Sequence, residues 1–144
     1  MVEIHPFEQK DIGELASLMS DWGDGFSITP EALRVSLDRV LADGKTRVIV
    51  AHRDGRVVGY AQYAERFFLG FEPAVEVMQL LVSVAERSSG IGLALMTHIE
   101  DETRKQGICA VNLSSQVHRS RAHVFYERQG YEMKKVSKFY CKNL

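Results

Sequence analysis

Residues 74–96 read AVEVMQLLVSV, then AERSSGIG, then LALM, and the three parts decide the fold. The first is an apolar run of strand character and the last opens a helical pattern. Between them Arg87-Ser88-Ser89-Gly90-Ile91-Gly92 forms a short polar turn with two glycines. A strand, a tight turn and a helix start in direct succession make a backbone shape suited to anions. The first turn of a helix has amides without intrahelical partners and carries the positive end of the macrodipole. Glycines let a phosphate reach those amides with no Cβ in the way. The stretch is therefore read as the cradle of a pyrophosphate-bearing cofactor.

Outward from it, the strand Ala74–Val84 is nearly continuous in apolar residues, as expected of a central strand covered on both faces. Glu76 and Gln79 interrupt it. A carboxylate there is costly to bury unless paired or used, or it sits at an exposed strand start. After the glycines, Ile91, Leu95 and Ile99 recur every fourth residue, so the helix lies on the sheet, and Lys105-Gln106-Gly107 closes it. Ile108–Leu113 reads as another buried strand. Arg119–Gln129 reads as a helix with Ala122, Phe125 and Tyr126 on one face, stopped by Gly130. From Tyr131 onward the chain reads as a last strand or hairpin.

Upstream, Val2 and Ile4 alternate with polar residues in a first strand that ends near Pro6. Asp11 is placed to cap a helix bearing Ile12, Leu15, Ala16 and Met19. A turn with two acids and two aromatics follows (Asp21, Trp22, Asp24, Phe26). Thr29-Pro30 then opens a second helix. Arg47–His52 and Val57–Tyr63 are two strands joined across Asp54-Gly55, a strong hairpin signal because both turn positions take positive φ. Phe67-Phe68-Leu69-Gly70-Phe71 is an aromatic loop. Core is its first expected role, with a substrate-facing flap or a dimer contact as alternatives.

The sequence is 144 residues long, 45% hydrophobic and 26% charged, which suits one globular domain spanning 1–144. Its net charge of −1, from 18 basic and 19 acidic residues, argues against nucleic-acid binding by bulk charge. No apolar run reaches the roughly 18 residues of a membrane helix. The start MVEIHPFEQKD lacks a basic-then-apolar leader pattern, so a cytoplasmic protein without a membrane partner is expected. Cys109 and Cys141 have no nearby ligand partners and are expected to be buried thiols. The five histidines show no HExxH or CxxC company, so no metal is expected.

Two alternatives for the phosphate ligand fall away. A nucleoside triphosphate loop needs GxxxxGK[ST], and no lysine follows Gly92. A dinucleotide fold needs a third glycine and an acid after the next strand, where Asn112–Ser115 offers none.

Arg87–Gly92 instead resembles the [QR]xxGx[GA] pyrophosphate loop of the GNAT superfamily of acetyl-CoA-dependent N-acetyltransferases. Ala122-His123-Val124-Phe125-Tyr126-Glu127-Arg128-Gln129-Gly130-Tyr131 is similar to that family's second signature, AxxFYExxGF/Y. With the order of elements, the likeness covers nearly the whole chain. Val84 and Glu86 stand where the family usually has a proline and an aromatic. Arg119 stands where it often has an asparagine.

The resemblance implies an α+β (mixed α/β) fold with a central mixed, mostly antiparallel sheet. That sheet is splayed at strands 4 and 5 and flanked by helices on both faces. It implies acetyl-CoA as acetyl-donor co-substrate, without a metal. The pyrophosphate would be held by Arg87, Ser88, Ser89, Gly90, Ile91, Gly92 and Leu93. The pantetheine arm would pair along Leu81, Val82 and Val84, with an amide near Leu81 or Val82 polarising the thioester. Arg119 and Arg121 are candidates for the nucleotide phosphates, or solvated surface. Tyr126 would protonate the leaving thiolate, and Glu76 would serve as base through a water.

Trp22, Asp24, Phe26 and Phe67 fall where the family takes its acceptor. Acids with aromatics suit a cationic amine on a small molecule or a protein. A homodimer is a further expected partner state. The rival readings are a non-catalytic acyl-CoA-binding regulatory module and transfer of a different acyl group.

Overall fold

Asp54 and Gly55 adopt φ of +51° and +75° and fold β2 (Arg47–Arg53) back along β3 (Arg56–Arg66), as Asp-Gly predicts. The protein is described over all of Met1–Leu144 in a computed structural model. β1 (Val2–Pro6) flanks β2, and β4 (Ala74–Val82) flanks β3, all antiparallel. β5 (Val111–Leu113) runs parallel to β4, giving a mixed sheet in the order β1-β2-β3-β4-β5.

The strands are apolar on both sides because helices cover both faces. Val48, Val50, Tyr60 and Leu81 pack in one cluster with α1 (Ile12–Met19) and α2 (Pro30–Leu41), through Leu15, Leu18, Leu33 and Leu37. Thr29 caps α2, its Oγ1 accepting from Ala32 N at 3.1 Å, with Pro30 in the first helical position. On the other face lies α3 (Ile91–Lys105), whose Ile91, Leu95, Met96 and Ile99 are fully buried. Gly59 of β3 admits this helix. A Cβ there would meet Leu81 O at 3.0 Å, Ile91 Cγ2 at 3.1 Å and Leu95 Cδ1 at 3.3 Å. No helix is long and apolar enough to cross a membrane.

Packing divides the chain into two compact units, Met1–Leu113 and Ser114–Leu144. The sheet and α1–α3 make the first. The second holds α4 (Ser120–Arg128), ended by Gly130 at φ +91°.

Four local expectations are corrected. Residues 131–144 form no strand; they carry four lysines and leave Phe139 and Tyr140 exposed. The strand over 108–113 is shorter: Ile108–Ala110 is still connection, with Ala110 giving its carbonyl to the Val75 amide, and Val111–Leu113 alone pairs with β4 as a strand. Both cysteines are therefore exposed, Cys109 in that connection and Cys141 in the tail. The aromatic loop is not core, since nothing covers it: Phe67 is 62% and Phe68 66% exposed.

Candidate active site

β4 is a whole strand against β3 but only a short one against β5. It pairs with β5 at Val75, Val77 and the Glu76 between them. From Met78 to Val82 that edge has no strand partner, so the sheet opens into a seam. A β-bulge marks the change: Gln79 pairs with Gln62 and Val77 with Tyr63, leaving Met78 as the extra residue. Below the bulge the Val75 amide points to β5, donating to Ala110 O at 3.0 Å. Above it the parity is reversed. Ser83 N donates to Val58 O at 2.8 Å, so Leu81 and Ser83 face β3 while Leu80 and Val82 face the seam. Of the two amides expected to meet a thioester, the one at Val82 has the right direction.

The strand ends in a 3-10 turn, Val84–Glu86, and the chain enters the glycine turn. Arg53 of β2 latches this segment. Its guanidinium contacts Glu86 Oε2 at 2.9 Å and the Ser89 carbonyl at 3.3 Å. Ser89 Oγ donates to the Glu86 carbonyl. Ser88 and Gly90 take positive φ, +65° and +86°, and Gly90 is the N-cap of α3. No side chain caps the helix, and its first turn carries no acid. The amides of Ile91, Gly92 and Leu93 are thus left to bind an anion. Arg87 and Leu93 are exposed beside them, and Gly92 is partly so.

The acidic-aromatic turn after α1 reaches the same strand. Asp21 Oδ2 accepts the Val84 amide at 2.8 Å, so Val84, expected to pair with a ligand, already has a partner. Trp22 Nε1 donates to Tyr60 OH at 2.9 Å, and Tyr60 donates to Gln79 Oε1 at 2.8 Å. Burial pushes the Tyr60 phenol up to about 12, with the Trp22 hydrogen bond pulling the other way. Asp24, at φ +54°, and Phe26 are exposed in that turn. Phe67 stands apart from it in the loop after β3, where Lys45 Nζ lies 5.8 Å from its ring centroid. A lysine of the protein thus takes that cation site. Asp21, Tyr60, Gln79 and Arg53 owe their roles to partners distant in sequence, and no local motif announces them.

Glu76 lies opposite Ala64 and Asn112, and its Oε1 accepts from Arg66 Nε at 3.0 Å. The carboxylate inside the strand is therefore paired. In the second unit, burial raises the Tyr126 phenol above its ordinary range, against the pull of the Arg119 guanidinium. Its ring packs edge-on to Phe125 and Tyr131, at centroid distances of 5.1 and 6.0 Å. Arg119 is the N-cap residue of α4, and Arg121 is exposed in its first turn.

A strand opened along one edge and followed by an uncapped helix N-terminus has relatives. Residues 14–131 match the family model described as the acetyltransferase (GNAT) family. The chain belongs to the GNAT family and is an acyltransferase. It is 32% identical over 103 residues to an aminoalkylphosphonate N-acetyltransferase of Salmonella typhimurium, covering 71% of this chain and 67% of that one. It is 33% identical over 93 residues to an IAA acetyltransferase of Azospirillum brasilense, covering 65% and 59%. The fold matches the crystal structure of glucosamine-6-phosphate N-acetyltransferase from Arabidopsis thaliana. There the TM-score is 0.82, with 17% identity and 99% of each chain covered.

Proposed function

We propose that the protein is one N-acetyltransferase domain moving the acetyl group of acetyl-CoA to a primary amine of a small molecule by direct attack. The observation that carries this reading is the seam along Met78–Val82 leading into the uncapped start of α3. In it, the turn Arg87–Gly92 and Leu93 hold the pyrophosphate through amides and the helix dipole. The pantetheine arm adds along the seam as a strand would, pairing through Val82 and not through Leu81, whose backbone faces β3, and displaces Asp21 if it extends to Val84. The Val82 amide donates to the thioester oxygen as negative charge grows there.

The amine nitrogen attacks the carbonyl carbon, a C–N bond forms and the C–S bond breaks. The proton on nitrogen passes through water toward Glu76, and the leaving thiolate takes a proton from Tyr126. A phenol raised by burial keeps its proton at neutral pH, as an acid must. Trp22, Asp24 and Phe26 supply charge and aromatic faces for the amine. The similarity to an aminoalkylphosphonate enzyme favours a small amine carrying an anionic group as the acceptor.

A thiol-release assay with acetyl-CoA and a panel of aminoalkylphosphonates, aminoglycosides, polyamines and lysine peptides tests the reading. Turnover with a small amine is expected. Tyr126→Phe should lower kcat by about 10²-fold or more without weakening CoA binding. Binding of acetyl-CoA with no turnover of any amine would overturn catalysis in favour of a regulatory module. Full turnover by Glu76→Gln at every pH would remove Glu76 as the base.

A further inference from the structure

A second cluster of reactive side chains lies on the β1–β2 edge of the sheet, and acetyl transfer makes no use of it. The register pairs Glu3 with His52 and His5 with Val50, which makes His5 and His52 diagonal neighbours on one face. His5 Nε2 lies 2.6 Å from His52 Nδ1, with ring centroids 4.4 Å apart and planes within 12° of parallel. Rings stacked face to face cannot bring two nitrogens so close, so these meet edge to edge, nitrogen aimed at nitrogen.

The outer nitrogens are already committed. His52 Nε2 lies 3.0 Å from Asp11 Oδ1, and His5 Nδ1 lies 2.8 Å from the Pro6 carbonyl. A carboxylate and a carbonyl only accept, so each outer nitrogen carries the hydrogen of its ring. A neutral imidazole has only one, so with both rings neutral the inner nitrogens would present lone pairs to each other, and a cation, either a proton or a metal ion, joins them.

We propose that His5 Nε2 and His52 Nδ1 are ligands of a divalent transition-metal site of the zinc class. Imidazoles whose outer N–H is held by a carboxylate or a backbone carbonyl are oriented as metal ligands are. Asp11 is the positioning residue. It is 3% exposed, and its second oxygen is fixed by the Glu8 amide at 2.9 Å. The sequence suggested Asp11 as a helix cap; it stands at the N-cap of α1 without a side-chain bond into that helix, but its Oδ2 closes the capping box of the 3-10 turn Gln9–Asp11, leaving Oδ1 for His52. The donor atoms of all three side chains lie within 4.8 Å of one another.

Further positions open on a cavity of about 500 Å³ lined also by Glu3, Glu14, Asp54 and Lys10. A carboxylate or water from there completes four-coordination. Two tetrahedral nitrogen ligands at about 2.0–2.1 Å from a metal stand roughly 3.3 Å apart, so the rings must part by about 0.7 Å and turn until both lone pairs converge on the metal instead of on each other. His5, on the edge strand, can give that much.

The test uses the full chain, stripped by chelator and titrated with ZnCl₂ by calorimetry and with CoCl₂ by visible absorption. One equivalent should bind, with Co²⁺ bands of nitrogen and oxygen ligation. His52→Ala and, separately, His5→Gln should each weaken binding at least 100-fold. His5→Gln, at a half-exposed position, guards against loss of folding, checked by circular dichroism. Asp11→Asn should weaken binding roughly 10–100-fold with the form of the Co²⁺ spectrum unchanged. Failure to bind stoichiometrically would overturn the site. So would binding that survives His5→Gln, with the metal then held elsewhere. Imidazole ¹⁵N resonances that report a shared proton and ignore Zn²⁺ would replace the metal with that proton.

Discussion

The indole N–H of Trp22 donates to the hydroxyl of Tyr60, and that hydroxyl donates onward to Gln79. One buried oxygen thus ties the turn after α1 to β3 and β4. Together with Asp21 on the Val84 amide, it fixes the turn proposed for the acceptor against the strand proposed for the cofactor. Tyr60→Phe leaves the Trp22 and Gln79 partners unpaired. It should cost about 1–3 kcal/mol in urea unfolding and raise KM for the amine more than for acetyl-CoA.

The same hydroxyl predicts an alkaline limit. Its folded pKa is raised from 10.0 to about 12, so above pH 10 the unfolded chain releases this proton first. The stability it contributes is complete below pH 10 and is lost as pH rises towards 12, on the order of 2 kcal/mol. Tyr63 and Tyr126 are raised in the same sense by burial. Unfolding followed from pH 9 to 12 should therefore show a shallower slope in Tyr60→Phe than in the wild type, with a residual slope remaining.

Gly59→Ala tests how closely α3 must approach. The added carbon meets backbone at Leu81 O as well as the buried Ile91 and Leu95 side chains. A loss of about 1–3 kcal/mol is expected in thermal or chemical unfolding. Because the strain falls where β3 meets both α3 and the end of β4, weaker acetyl-CoA binding in calorimetry should accompany it.

Gly90→Ala acts differently, since a Cβ there touches nothing within 4 Å while φ is +86°. The cost is torsional, about 1–2 kcal/mol. The chain can relieve it by turning the first amides of α3 away from the seam. Acetyl-CoA affinity should therefore fall by a larger free energy than folding stability does, which titration and unfolding of the same sample compare directly.

Local chemistry made much of this fold legible. Asp54-Gly55, Thr29-Pro30 and Arg87–Gly92 each dictate a backbone shape within a few residues, and each forms as expected. The ends of β5 and the fate of 131–144 depend on whether a partner edge is present, which short windows do not report. The glycine turn was readable for the first reason. The link between Trp22 and Tyr60, the Asp21–Val84 bond and the meeting of His5 with His52 were not. Each joins positions brought together only by the folded sheet.

The bulge at Met78 has a consequence for handling the protein. Beyond it, from Met78 to Val82, the far edge of β4 has no strand partner and the Leu80 and Val82 backbones face outward, and such an edge is adhesive: another chain can add to it as a strand. A bound cofactor arm would occupy the same edge, so ligand and self-association would compete for it. Preparations saturated with CoA should stay monodisperse at concentrations where ligand-free samples scatter light. The added thermal stability should grow with the logarithm of CoA concentration.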